Sequence, residues 1–329
     1  MGMMDGSVVS PLDEKPLNAA LSALEYSASP DAAPAAGAAV PQDPFYVSPP
    51  EVPTQEGPKG VRFDFNDGAR IWLPRGAWHA EIHDAESGNV IFACDADEGW
   101  VVSTKKYYVP FAIRIWERGD PAPLVDHVLD LRGRPVLVKF PVGTLGDILG
   151  WFPYAEKFRK KHGCALACAL GRDLLEILRD QYPETELTTP QEVRMKEPYA
   201  SYRVGLFFGG NRDCQPIDFR QVGLHRTAGH ILGVDPAEEP PRLNLDAPRR
   251  IAEPYVCIAT KSSCQAKFWN NGHGWNSVIA YLKSLGYRVL AIDREATVGM
   301  GFTWNQLPHD AENFTGNLPL QERVNMLDH

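Results

Sequence analysis

The chain has 329 residues, 44% hydrophobic and 23% charged, which is ordinary globular material with length for two or three domains. Its formal net charge of −9 argues against nucleic acid or an anionic membrane as main partner, because phosphate binding asks for a surplus of Lys and Arg on one face. No run of about eighteen apolar residues occurs, and the N-terminus lacks a charged segment followed by an apolar one, so a cytoplasmic location is expected.

Residues 1–58 form the first expected unit, a mostly disordered tail rich in Ala, Pro and Ser. A short helix over 17–26 is the one element expected there, from the spacing of Leu17, Ala20, Leu21 and Leu24. Residues 59–132 read as a small β-barrel-like domain. Short alternating strands at 61–65, 69–73, 78–83, 90–94, 100–104 and 111–116 are separated by turns such as Asn66-Asp67-Gly68 and Ser87-Gly88-Asn89. His79 and His83 would pair for a metal on a helix, but their alternation with Trp78, Ala80 and Ile82 places them on the polar face of a strand.

From residue 133 the pattern becomes apolar strand, glycine loop, helix and strand, the grammar of a parallel sheet. Residues 133–252 are the third expected unit, with a strand at 136–140, a helix ending near Lys161 and a strand at 164–170. A helix at 173–180, a strand at 202–208 and a helix at 218–232 stopped by Gly233 complete it. The basic run Lys157, Arg159, Lys160, Lys161 and His162 ends the first helix, where a solvated face complementing the helix dipole is expected. A Pro-rich crossover leads to the fourth unit, residues 253–329, with a strand at 255–260, a long loop, a helix at 275–285, a strand at 287–292 and a final helical stretch at 320–327. Two strands and a helix cannot cover both faces of a sheet, so this second α/β unit is expected to be incomplete. The six cysteines, at 94, 164, 168, 214, 257 and 264, contain no Cys-x-x-Cys pair and are expected to be free thiols, Cys164 and Cys168 as small buried side chains.

The loop Pro141-Val142-Gly143-Thr144-Leu145-Gly146-Asp147 has neither the Gly-x-Gly-x-x-Gly of dinucleotide binders nor the Gly-Lys-Ser/Thr of a P-loop. It carries an acid instead. Asp147 stands where the helix begins, at the carboxyl end of a parallel strand, where open α/β sheets bind ligands; the same position suits a helix cap. Pro153, six residues later, removes a backbone hydrogen bond from an apolar helix and asks for a reason beyond stability.

The strand, the Gly-Thr-Leu-Gly-Asp loop and that proline resemble the opening of glycosyltransferase family 9, the ADP-heptose heptosyltransferases. The second strand with the loop Thr260-Lys261-Ser262-Ser263-Cys264-Gln265-Ala266-Lys267-Phe268-Trp269 is similar to that family's donor-side Lys-x-Trp segment. With the β unit in front, and with Trp151-Phe152-Pro153-Tyr154 and the stretch from Gly223-Leu224-His225-Arg226 to Asp235, the resemblance narrows to the autotransporter strand-loop-strand O-heptosyltransferases, over roughly residues 61–329.

That resemblance implies a GT-B enzyme of the α/β class, two Rossmann-like domains facing a cleft, moving heptose from ADP-heptose to serine hydroxyls of an autotransporter passenger. It implies Asp147 as general base of an inverting transfer, with Gly143, Thr144 and Gly146 in the acceptor-side loop. Thr260, Ser262, Ser263, Lys267 and Trp269 fall on the donor side, where Lys267 would stabilise the leaving diphosphate unless it is a solvated loop lysine. His225 and Arg226 lie on a helix where a histidine is usually structural, and the resemblance keeps them as weaker cleft candidates. In the family a Gly/Ser-rich helix start and an iron-binding cysteine cluster follow; neither is present here, so no metal or other cofactor is expected, and a homo-oligomer is expected only of the full-length form. A lipopolysaccharide core heptosyltransferase and a non-catalytic client-binding module are the alternatives.

Overall fold

The computed structural model describes residues 47–208, 212–262, 267–294, 298–300, 303–305 and 307–329. The helix expected over 17–26 lies outside them. Strands β1 (Gln55–Glu56), β2 (Arg62–Asn66), β3 (Arg70–Leu73), β4 (Trp78–Asp84), β5 (Val90–Ala96), β6 (Gly99–Val102), β7 (Phe111–Glu117) and β8 (Val125–Val128) come first. They divide between two sheets. Strands β5, β4, β7 and β8 pair in that order as an antiparallel sheet, while β3 joins β2 to β6 in another.

That second sheet continues into the α/β region. Strands β9 (Pro135–Lys139), β10 (Ala165–Ala169), β11 (Glu186–Thr188) and β12 (Ala200–Arg203) are parallel, and β12 pairs in parallel with β2. The order is β11-β10-β9-β12-β2-β3-β6, with β1 on β2. Main-chain bonds from Phe65 N to Tyr199 O and from Asp67 N to Ser201 O, each 3.0 Å, cross the division expected at residue 132. Alternation in β2 and β3 specifies strands but not their neighbours, so this parallel seam had no local signal. One apolar cluster accordingly runs from Phe63, Ile71, Leu73 and Ile82 to Val136, Val138, Trp151 and Phe158.

Helix α1 (Leu145–His162) packs on this sheet through Ile148, Trp151, Phe152, Tyr154, Ala155 and Phe158 and ends at Gly163, whose φ of 61° is left-handed. It runs on through buried Pro153. The basic run at its end is spent internally: Arg159 and Lys160 pair with Glu156 at 2.8 and 3.5 Å, and Lys161 Nζ donates to Gly233 O at 2.6 Å. Helix α2 (Arg172–Leu178) follows β10. The single helix expected over 218–232 is broken at Gly223, φ 91°, into α3 (Phe219–Val222) and α4 (Arg226–Leu232).

Strands β13 (Tyr255–Ile258) and β14 (Arg288–Ala291) are parallel and flank helix α5 (Gly274–Ser284). Beyond β14 come a hairpin of β15 (Val298–Met300) and β16 (Thr303–Asn305), then β17 (Glu312–Asn313), which pairs in parallel with β14, and helix α6 (Leu320–Asp328). Ile258, Ile279, Val289 and Ala291 form a small separate core here. Among the described residues no helix is long and apolar enough to cross a membrane. His79 and His83 lie on β4 and share Glu81, at 3.2 and 2.8 Å, as a polar strand face should. Cysteines 94, 164, 168, 214 and 257 are free, and burial pushes the Cys164 thiol up to about 11.

Candidate functional site

The loop between β9 and α1 emerges at the carboxyl end of the sheet. Gly143 takes a φ of 128°, and a Cβ there would stand 2.7 Å from Trp151 Cζ3, so both conformation and space call for glycine. Thr144 is the extended residue that opens α1, and Asp147 occupies the third helical position. Asp147 Oδ2 accepts from Thr144 N at 2.7 Å and from Thr144 Oγ1 at 2.9 Å, which fixes the carboxylate against its own helix start. Oδ1 accepts no hydrogen bond from the described residues, and the side chain is half-exposed. The cap and an available carboxylate oxygen therefore coexist in one side chain. Gly146 is exposed and has open space where a Cβ would be, so neither packing nor dihedral explains it.

His225 is brought to the same place. A Cβ on Gly150, one turn beyond Asp147, would fall 2.3 Å from His225 Cδ2, so the imidazole lies flat on the glycine face of α1. Trp151 Nε1 donates to Leu224 O at 2.7 Å and holds the α3–α4 turn against the helix. His225 precedes α4 rather than sitting inside a long helix, and its ring is exposed. Arg226 points elsewhere, pairing with Glu238 at 3.2 Å.

Beneath the loop lies a buried ion pair that the sequence pattern did not single out. Lys139, the last residue of β9, is 1% exposed and its Nζ bonds Asp67 Oδ1 at 2.8 Å. Asp67 reaches it from the β2–β3 turn with a left-handed φ of 55°, and Arg203 Nε stands 3.9 Å from its other oxygen. Burial pushes the Lys139 ammonium down from its ordinary range, against the pull of Asp67.

On the other sheet, Thr260 follows β13. Thr260 N and Oγ1 donate to Asp293 Oδ2 at 2.8 and 3.1 Å, and Lys261 N donates to Asp293 Oδ1 at 2.9 Å. Ser262 is half-buried and Lys267 exposed; Ser263 lies outside the described residues. Trp269 packs edge-on against Trp275 at 5.3 Å and covers Gly274, where a Cβ would be 2.7 Å from Trp269 Cη2. Arg294, next to Asp293, reaches Asp173 at the start of α2 at 3.7 Å, so the carboxyl ends of the two sheets face each other. Asp293 was missed by the sequence reading. Its signal was available as an acid just after the second strand of a strand-helix-strand unit.

A family model described as the N-terminal domain of glycosyltransferase TibC matches residues 57–119. The chain is 60% identical over 285 residues to the autotransporter heptosyltransferase BAHTCr of Citrobacter rodentium, spanning 87% of this chain and 70% of that one. This chain belongs to the autotransporter heptosyltransferase family. It is also 59% identical over 285 residues to TibC of Escherichia coli O78:H11, with the same coverage of 87% and 70%. A crystal structure of TibC, dodecameric and iron-containing and in complex with ADP-D-β-D-heptose, matches with a TM-score of 0.84 at 58% identity, over 85% of this chain and 73% of that one. Membership makes this chain a glycosyltransferase of the heptosyltransferase type, and the α/β, GT-B-type class agrees with that likeness.

One expectation is corrected. The absence of a metal was expected, whereas the solved relative contains iron. Among the described residues of this chain no group of three or more His, Cys, Asp or Glu side chains comes together to hold an ion. The described residues do not by themselves form an iron site.

Proposed function

We propose that the chain moves heptose from ADP-heptose to serine hydroxyls of an autotransporter passenger, with inversion at the anomeric carbon. The observation that carries this reading is the Asp147 carboxylate, anchored by Thr144 through one oxygen and open at the other, at the carboxyl end of β9. The serine oxygen attacks C1 of the heptose as its proton passes to Asp147 Oδ1. The bond from C1 to the diphosphate oxygen breaks, and ADP leaves with the electron pair. Bare Gly146 lets a substrate approach the backbone of the first helical turn, and His225 borders that space over Gly150.

The donor side is the loop from Thr260 to Trp269, with Ser262, Ser263 and Lys267 as hydrogen-bond donors to the diphosphate. Lys267 supplies positive charge where negative charge develops on the leaving group. The solved relative's complex with ADP-heptose supports this donor, and the relatives' names support the autotransporter as acceptor. Its dodecameric assembly supports a homo-oligomer here. Residues 59–132 then serve as a β unit that also completes the acceptor-side sheet, ahead of acceptor-side residues 133–252 and donor-side residues 253–329.

The test is incubation with ADP-heptose and a passenger fragment, read by mass spectrometry. One heptose mass added per modified serine, lost when that serine is changed to alanine, supports the reading. Donor consumption with no label on the passenger sinks the acceptor assignment, and retention of the donor's anomeric configuration in the transferred heptose, read from the one-bond C1–H1 NMR coupling, sinks the stereochemistry.

A further inference from the structure

The donor-side loop needs a fixed entrance if its short side chains and Lys267 are to meet a diphosphate together, and one buried carboxylate supplies it. We propose that Asp293 is a positioning residue that sets the donor loop, an inference that rests on the donor-side reading above. The side chain lies two residues beyond the end of β14 and is 7% exposed. Among the described residues its two oxygens take three hydrogen bonds, from the first two residues of the loop: Thr260 N, Thr260 Oγ1 and Lys261 N. A charged acceptor makes these bonds stronger than neutral ones and orients both amides at once.

Asp293 is itself held from behind. The Arg323 guanidinium of α6 donates to the carbonyls of Ile292 and Gly316 and, at 3.2 Å, to that of Asp293. Gly316 N also donates to Asp293 O at 3.3 Å. Farther along the chain, Trp269 is seated edge-on against Trp275 and over Gly274. Thr260 and Lys261 are thus fixed before a ligand arrives, which removes part of the ordering cost that donor binding would otherwise carry. The general base is on the other sheet, so loosening the entrance acts on donor binding and on the charge that Lys267 supplies to the leaving group, and leaves the proton acceptor in place.

An acid at this place in dinucleotide-binding sheets takes a ribose hydroxyl. Here both oxygens are occupied by loop donors, which favours the positioning role. The two roles differ in a measurable way: a ribose contact has no effect on inorganic pyrophosphate binding, whereas a mis-set diphosphate loop weakens pyrophosphate and ADP alike.

The experiment compares Asp293→Asn, Lys267→Ala, their double variant and Arg323→Met in steady-state transfer from ADP-heptose, with melting temperatures to establish folding. Pyrophosphate and ADP are run as competitive inhibitors. Asp293→Asn should raise the KM for ADP-heptose about tenfold and should weaken both inhibitors. The double variant should be no worse in KM than the weaker-binding single variant, because both changes disable one loop. Should Asp293→Asn fail to fold, Arg323→Met decides, with an expected rise of about threefold in the same KM. An unchanged KM in a folded Asp293→Asn, effects that multiply in the double variant, or weakened ADP with unchanged pyrophosphate each overturn the proposal. If Lys267→Ala alone is silent while Asp293→Asn raises KM, the lysine assignment falls and the positioning role stands.

Discussion

At the scale of single residues, the β9–α1 loop separates what the fold needs from what the chemistry needs. Gly143 is demanded by its φ of 128° and by Trp151, so Gly143→Ala should cost roughly 1–3 kcal/mol of stability and lower activity along with it. Gly146 is different. Nothing occupies its Cβ position, so Gly146→Ala should stabilise α1 by up to about 1 kcal/mol, while transfer falls if a substrate approaches there. A raised melting temperature with at least about a tenfold loss of kcat/KM would separate the two demands; raised stability with unchanged activity would remove Gly146 from the site.

His162 gives a residue-scale test of pH dependence. Burial and neighbouring Lys161 push its imidazole down to about 4, and its Nε2 is buried without a partner. In the unfolded chain the ring titrates at about 6.5. The folded state therefore binds fewer protons between these values, so stability is full above about pH 6.5 and falls as pH drops toward 4. The ring packs against Phe158 and Tyr108 at 4.4 and 4.9 Å, which makes His162→Phe a conservative probe. Melting temperatures at pH 7.5 and 5 should diverge less in this variant than in the parent; an equal divergence assigns the acid sensitivity elsewhere.

At the scale of elements, the turn between β2 and β3 does more than reverse the chain. Its Asp67 closes the buried pair with Lys139 just before the loop that carries Asp147. Asp67→Asn tolerates the left-handed backbone but leaves the lysine without its charge partner, a loss of about 3–5 kcal/mol for a buried pair. The double change with Lys139→Met should recover part of that stability, which chemical denaturation measures directly. No recovery would show that the pair is not coupled. For the same reason, deleting 61–116 removes β2 from the side of β12 and should unfold the acceptor-side sheet, rather than leave donor hydrolysis intact as an independent β unit would.

The elements also show how much was readable beforehand. Strands β9 and β10, helix α1 and the strand-helix-strand around α5 follow from apolar runs and glycine stops, and the structure holds each within a few residues of its expected place. The β2–β12 seam and the clasp of Asp293 on Thr260 were not readable, because parallel pairing and a bond between residues 33 apart are set by tertiary structure. The break at Gly223 was overridden in the reading by the apolar period on both sides, although a glycine with φ 91° is a sufficient cause. Asp147 was legible as an acid at a ligand edge; that one oxygen caps while the other is open required coordinates.

At the scale of the whole molecule, two parallel sheets present their carboxyl ends to one another, with Arg294 and Asp173 bridging them at 3.7 Å. Asp147 belongs to one side and Lys267 to the other, so acceptor activation and donor binding should fail independently. Lys267→Ala should weaken ADP-heptose by roughly 1.5–3 kcal/mol, the range for a hydrogen bond to a charged group, with acceptor affinity unchanged. Calorimetric titration of ADP checks this, and an unchanged heat would return Lys267 to a solvated loop. The transfer turns on the proton acceptor. Its most direct test is the single-turnover rate of Asp147→Asn with saturating ADP-heptose and passenger, beside its melting temperature and ADP affinity. Loss of about 10²-fold or more in rate, with folding and ADP binding retained, is the predicted result; a near-parental rate in a folded protein would reduce Asp147 to a helix cap and contradict the account.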